Sequence, residues 1–247
     1  MSSVFIKSVL VIGVTAFLGA CQSLDKEKQY DSQSDAQIYA SAVKKLKKGK
    51  YPDAVEDLEA LEARYPFGDY AQKTELALVY GYYKAEDYAS ALAAADRFIQ
   101  LYPRSPELPY AYYLKGMVRF YETMGFTDRY LPIERSQRDK EPAEQAFIAF
   151  KVILERFPDS PYATDAKARM VFLRNMLGKH ELEVAQHYFD KKAYLASVNR
   201  AHAIIEKFSE TPSVLPALDL LERAYLKLGL TAEAQQMADL KAAQPQS

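Results

Sequence analysis

Few side chains in this sequence have the type and spacing that catalysis or metal binding requires. Of the three histidines, only His180 and His187 would share one face of a helix, and no third metal ligand lies nearby in sequence. The motifs G-x-S-x-G and H-E-x-x-H and the glycine-rich phosphate loops are absent from the sequence. We therefore expect no catalytic residue, no metal and no cofactor, with His180, His187 and His202 solvated or packed. Cys21 is the remaining reactive side chain.

Cys21 ends a segment typical of a secretory signal. Lys7 is followed by the apolar stretch SVLVIGVTAFLGA, which is short for a membrane-spanning helix. Residues 18–21 read LGAC, which resembles the bacterial lipobox. The resemblance implies cleavage of a signal peptide, residues 1–20, and acylation of Cys21. A plain secretory signal with an unmodified or buried thiol is the alternative.

The residues after Cys21 predict where the protein resides. Several acyl chains on Cys21 would anchor it firmly, since one chain alone binds a membrane only marginally. Gln22 stands where lipoproteins retained in the inner membrane often carry Asp, so the sequence favours the outer membrane, on its periplasmic side. Residues 21–34 are polar without an apolar period, and we interpret them as a lipidated tether. With a single cysteine, no intramolecular disulfide is possible.

The composition indicates a folded helical protein. The chain has 247 residues, a net charge of −1 and 49% hydrophobic residues. Glycine is scarce, and few stretches show the alternation of strands. Nucleic acid is not expected as a partner, because its binding requires a clustered basic face. The one basic cluster, KKLKKGK at residues 44–50, is interpreted as a solvated helix end, where cations complement the helix dipole.

Five segments can be laid over one another. They begin 37, 55, 51 and 37 residues apart, at Tyr51, Tyr88, Ala143, Tyr194 and Thr231. Each carries a small residue three places later: Ala54, Ala91, Ala146, Ser197 and Ala234. A small side chain lets two helices lie close together. Proline then ends the segment at Pro66, Pro103 and Pro158, because it cannot continue a helix. Ser209 interrupts this rule in the fourth segment.

This pattern predicts tetratricopeptide-like helix pairs, whose period is roughly 34 residues. We expect an all-α, right-handed superhelical solenoid of five pairs with a concave binding surface. The predicted parts are N-terminal repeats over 35–122, a charged loop insertion over 123–142 and C-terminal repeats over 143–247. One long helix is predicted from Tyr162 to Lys192, with Gly178 inside it.

Several stretches make a family resemblance specific. They are LEARYPFGDYAQ, LVYGYYK, DRFIQLYP, ERSQRD, VFLRNML and SVNR. Together with the lipobox and the repeats, they resemble the BamD family of outer-membrane protein assembly lipoproteins. The resemblance implies that the N-terminal repeats bind the aromatic C-terminal targeting segments of unfolded outer-membrane proteins. It also implies that the C-terminal repeats dock on the periplasmic domains of the barrel subunit, BamA, with other assembly lipoproteins alongside.

The resemblance carries over to named residues. For the targeting segment we expect an apolar surface from Tyr65 and Phe67, with Asp69 orienting the peptide and Tyr82 reaching the groove. Structural packing is the alternative for each. For the barrel subunit the expected contact is Arg200, whose fork of five donors suits a carboxylate.

A further expectation for partner binding falls on the charged loop, at Arg135, Arg138 and Asp139. Their alternative is simple solvation. For the whole chain, the competing hypothesis is another outer-membrane repeat lipoprotein, for instance one that organises cell-wall synthesis. A repeat module attached to a hydrolase is disfavoured, since no segment of catalytic size remains outside the repeats.

Overall fold

The computed structural model describes residues 30–124 and 140–244. Within these ranges the regular secondary structure is α-helical, without strands, which confirms the predicted fold class. The helices are α1 (Asp35–Lys47), α2 (Tyr51–Arg64), α3 (Ala71–Lys84), α4 (Tyr88–Leu101), α5 (Leu108–Met124), α6 (Glu141–Arg156), α7 (Ala163–Asp190), α8 (Tyr194–Lys207), α9 (Val214–Leu228) and α10 (Thr231–Ala242).

Some predicted features lie outside the described residues. These are the signal peptide, Cys21, and the loop residues Arg135, Arg138 and Asp139. Among the helices of 30–124 and 140–244, none combines the length and the apolar character that crossing a bilayer requires.

The N-terminal unit ends at Tyr102 and contains two helix hairpins, α1–α2 and α3–α4, with α3 also packed on α2. Gly49, with φ +72°, makes the turn of the first hairpin in the left-handed region that glycine adopts without strain. The side chains of Ile38, Leu58, Leu78 and Phe98 are fully buried. Each hairpin therefore covers its apolar face against its neighbour, as stacked repeats do.

The C-terminal unit begins at Pro103 and contains α5 to α10. Helices α5 and α6 approach closely at Gly116, where an added Cβ atom would lie 2.6 Å from the Phe150 ring. Helix α7 is the predicted long helix and is continuous through Gly178. A Cβ atom at Gly178 would lie 3.0 Å from Thr211 Oγ1, so this glycine allows the α8–α9 corner to approach. The core between α7, α8, α9 and α10 contains Ile204, Leu221 and other buried residues.

The small residues predicted at the helix contacts are all buried: Ala54, Ala91, Ala146, Ser197 and Ala234. The predicted helix ends before proline are also observed, since α2, α4 and α6 end one residue before an aromatic side chain that precedes Pro66, Pro103 or Pro158. That aromatic residue, at Tyr65, Tyr102 and Phe157, takes φ between −123° and −137° with ψ near 50°.

The fourth segment ends in the same way without a proline. Phe208 has φ −125°, and its N–H donates to the Ile204 carbonyl, as the other capping aromatic residues do to the carbonyl four residues earlier. The aromatic cap is therefore the feature that all four corners share. Proline at the next position reinforces it, and Ser209 shows that it is not required.

Candidate functional site

The first inter-repeat corner, between α2 and α3, contains the predicted site residues Tyr65, Phe67 and Asp69. The Tyr65 hydroxyl donates to the Gln33 carbonyl over 3.1 Å, and the Gly68 N–H donates to the Tyr65 carbonyl over 3.1 Å. Tyr65 thus ties the corner to the segment preceding α1. Phe67 is 97% exposed, and Asp69 beside it is exposed as well. The corner presents one free aromatic ring and one carboxylate on a backbone fixed by hydrogen bonds.

Tyr82 belongs to a different cluster. Its hydroxyl donates to Glu59 Oε1 over 2.6 Å, from α3 to α2. Burial and the Glu59 carboxylate raise the pKa of Tyr82 above its ordinary value. The other two tyrosines of α3 also have packing partners, since Tyr80 meets the Tyr51 ring edge-on at 6.3 Å and Lys84 lies over the Tyr83 ring. Tyr82 therefore acts in this structure as a hydrogen-bond donor between two helices.

The neighbouring carboxylate Glu75 is buried and paired with Arg97. Arg97 Nε lies 2.9 Å from Glu75 Oε2, and its terminal nitrogen lies 2.7 Å from Glu62 Oε1. Burial, and after it the adjacent Glu62, raise the pKa of Glu75 to about 7, although the Arg97 guanidinium opposes the rise. Three helices, α2, α3 and α4, are thereby joined through one guanidinium.

This cluster predicts a pH dependence of stability. Because folded Glu75 holds its proton more tightly than the unfolded chain does, its contribution is complete below about pH 4.5 and is lost as the pH rises through about 7. Glu75→Gln removes the titration, so we expect a flatter dependence of the urea midpoint on pH across that window. Glu206→Gln, an exposed change in the other unit, is the control. A wild-type midpoint that rises across the window, or the same slope in Glu75→Gln, would contradict this prediction.

Asp57 is a buried hydrogen-bond centre that the sequence did not reveal. It is 2% exposed and accepts from the Tyr30 hydroxyl at 2.6 Å, Ser41 at 2.8 Å and the Lys45 ammonium at 2.7 Å. Arg64 completes the attachment, with its guanidinium 3.1 Å from Asp31 and 5.4 Å from the centre of the Tyr30 ring. Residues 30–34, assigned from sequence to the tether, are thus held against α1 and α2.

A second feature that sequence reasoning missed is a groove of about 550 Å³ along α1. Its apolar part contains Ala36, Ala40 and Val43, and the rings of Tyr39 and Tyr70 lie 4.8 Å apart at one side. Three lysines complete the lining: Lys44, Lys47 and Lys48. The basic cluster at residues 44–50 was the one sequence feature that could have indicated this groove. Only the fold places those lysines near the rings of Tyr39 and Tyr70.

In the C-terminal unit, Arg200 lies on α8 and has a partner within the chain. Its guanidinium donates to Glu181 Oε2 over 3.2 Å, and Lys140 donates to Oε1 of the same carboxylate over 3.3 Å. The Glu181 side chain, on α7, is 9% exposed, whereas that of Arg200 is 46% exposed. Glu181 therefore orients an arginine that still presents about half its surface to solvent.

The histidines have ordinary surroundings. His202 Nε2 lies 2.6 Å from the Tyr225 hydroxyl, and the His187 ring meets Tyr188 edge-on. His180 lies on α7. In the described part of the chain, no group of three or more His, Cys, Asp or Glu side chains is arranged to hold a metal ion.

Comparison with known proteins identifies the family. The family model YfiO, described as "Outer membrane lipoprotein", matches residues 31–240. "Outer membrane protein assembly factor BamD" of Neisseria meningitidis serogroup B is 39% identical over 226 residues, covering 90% of this chain and 85% of the relative. The chain belongs to the BamD family. The BamD of Vibrio cholerae is 37% identical over 196 residues, and that of Haemophilus influenzae is 33% identical over 229 residues. They cover 79% and 93% of this chain, and 81% and 87% of the relatives.

Membership of the BamD family confirms the resemblance inferred from the sequence. The matched residues include the corner at Tyr65–Asp69, Tyr82 and Arg200. The three relatives are named for the assembly of outer-membrane proteins, and none of those names denotes an enzyme. These names favour the assembly hypothesis over the cell-wall alternative.

Proposed function

We propose that this BamD-family chain is a non-enzymatic, lipid-anchored scaffold of outer-membrane β-barrel assembly on the periplasmic side of the outer membrane. Its family description and the names of its relatives support this role. Cys21, in the LGAC sequence, is the proposed anchor. Helical hairpins suit such a role, because they present broad surfaces to other proteins.

The N-terminal unit is proposed to bind the C-terminal targeting segment of an unfolded outer-membrane protein. The observation that carries this proposal is the 97% exposure of Phe67 at a corner that Tyr65 holds in place. Because hydrogen bonds fix the backbone of this corner, only the rotation of the Phe67 side chain is lost when a second aromatic side chain stacks against it. Such aromatic pairs add about 0.5–1.5 kcal/mol beyond area burial. Asp69, exposed beside Phe67, would accept hydrogen bonds from the peptide backbone.

Tyr82 is a further candidate for peptide contact, although its hydroxyl is already bound to Glu59.

The C-terminal unit is proposed to dock on the periplasmic domains of BamA through Arg200, with other assembly lipoproteins alongside. We also propose, from the sequence alone, that Arg135, Arg138 and Asp139 contact the same partner.

The substrate proposal is tested by photocrosslinking the mature chain to a peptide copy of a barrel protein's C-terminal segment. Phe67→Ala is expected to reduce the crosslinked fraction severalfold, because it removes the exposed ring without touching the Tyr65 hydrogen bond. Leu101→Ala is the matched control, since Leu101 is a 57% exposed apolar residue at the end of α4 in the same unit. Normal crosslinking of folded Phe67→Ala, or equal losses in both variants, would place the peptide elsewhere.

A further inference from the structure

The α1 groove combines an apolar face of α1 with a pair of tyrosine rings at one side. Ala36, Ala40, Val43 and Lys47 are spaced three or four residues apart and share a face of α1. The buried residues Ile38 and Ala42 lie on the opposite face, against the core. Burial and the adjacent Tyr70 raise the pKa of Tyr39 above its ordinary value.

The cations of this groove differ from the other lysine of the same helix. Lys45 is paired with buried Asp57 at 2.7 Å. Among the residues that the structure describes, Lys44, Lys47 and Lys48 form no ion pair, and all three are exposed. Lys73 adds a further ammonium 5.4 Å from the centre of the Tyr70 ring. This lining favours an occupant that brings negative charge together with an apolar part.

The position of the tether indicates which occupant is within reach. Tyr30 is fixed against α1 and α2 through Asp57 and Arg64, so the tether joins the fold beside the groove helix. Residues 22–29 alone separate Tyr30 from Cys21. At 3.3–3.6 Å per residue this segment spans at most roughly 30 Å. If Cys21 is acylated, α1 cannot move far from the membrane surface.

We propose that the α1 groove binds the anionic phospholipid headgroups of the membrane that holds the anchor. The ammonium groups of Lys44, Lys47 and Lys48 would contact phosphate, while their alkyl stems cover the groove's apolar part. Tyr39 and Tyr70 suit such an interface, because each has an apolar ring and a polar tip. Lipid contact here would hold the N-terminal unit in one orientation on the membrane rather than leave it swinging on its tether.

The test uses the full mature chain carrying Cys21→Ser, so that acyl chains do not mask a weak interaction. Binding is measured by co-sedimentation with phosphatidylcholine vesicles, with and without phosphatidylglycerol. The variant Lys44→Gln/Lys47→Gln/Lys48→Gln is expected to lower the partition coefficient for phosphatidylglycerol vesicles on the order of a hundredfold, at about fivefold per lysine. The matched control, Lys167→Gln/Lys207→Gln/Lys227→Gln, removes three exposed lysines of the other unit with the same change in net charge.

Binding that requires phosphatidylglycerol, falls in the groove variant and persists in the control variant supports the proposal. Equal losses in the two triple variants would show a general charge effect and overturn it, as would binding that does not depend on phosphatidylglycerol. An aromatic-ended peptide with a free C-terminal carboxylate is measured in parallel. If the groove lysines affect peptide binding but not vesicle binding, the groove is a peptide site and the proposal is wrong. Phe67-dependent crosslinking tests the proposed function separately, so either idea can fail without the other.

Discussion

Asp57→Ala is expected to destabilise the N-terminal unit by about 3 kcal/mol, because three hydrogen bonds converge on this buried carboxylate. Removing one partner of a buried ion pair costs about 3–5 kcal/mol, and the lower end applies because the Lys45 side chain is 31% exposed and regains water. The Tyr30 and Ser41 hydroxyls lose their acceptor as well. Urea unfolding of the full chain measures the loss, and hydrogen exchange over 31–46 shows whether it is located at α1.

Two variants separate the contributions at Asp57. Tyr30→Phe removes one hydrogen bond and leaves the ion pair, so it should cost about 1 kcal/mol. It should also speed exchange at residues 31–34 before it affects α1. Asp53→Ala removes an exposed carboxylate from the same helix, and its cost should stay within the 0.3–1 kcal/mol of a helix-dipole effect. An Asp57→Ala variant no less stable than Asp53→Ala would show that the buried carboxylate contributes nothing beyond its charge.

The features that could be predicted from the sequence were those that depend on residues close together along the chain. A small residue at the same position of each repeat indicates a close contact between helices. Ala54 and Ser197 are both fully buried, although alanine is apolar and serine is polar. Proline disfavours the α region at the residue before it, so a helix end at an aromatic–proline pair can be predicted from local sterics. Phe208 shows the limit of that rule, because its corner forms with Ser209 in place of proline.

The unpredicted part consists of polar side chains whose partners come from other helices. Asp57 and Glu181 look like ordinary acidic residues of surface helices in the sequence. Their partners lie 12 to 41 residues away in the sequence, and the periodicity of the repeats does not predict which side chains meet across those separations. For the same reason the sequence did not reveal the hydrogen bond from Tyr82 to Glu59 on the neighbouring helix, and the contact of Tyr82 with a peptide stays a prediction.

Arg200→Gln is expected to weaken binding of the mature chain to the periplasmic domains of BamA by about 2–5 kcal/mol, if the exposed side of the guanidinium pairs with a partner carboxylate in a desolvated contact. Isothermal titration or interferometry with the isolated domains measures this loss. Arg200→Lys keeps the charge but not the fork of donors, so an intermediate loss is expected. Reversal to glutamate is a poorer test, because it would place a second carboxylate beside buried Glu181.

Lys140→Gln is the matched control for Arg200→Gln, because both cations donate to Glu181, one to each oxygen. Both variants remove one of the two cations bound to Glu181. If Arg200 contacts the partner itself, only Arg200→Gln should weaken docking strongly. Glu181→Gln makes the complementary change, because it removes the internal carboxylate that holds Arg200 and keeps the arginine itself. If Arg200 contacts the partner itself, Glu181→Gln should cost less than Arg200→Gln. Equal losses from all three variants would mean that the partner recognises the packing of α7 against α8, and Arg200 would then be a positioning residue rather than a contact.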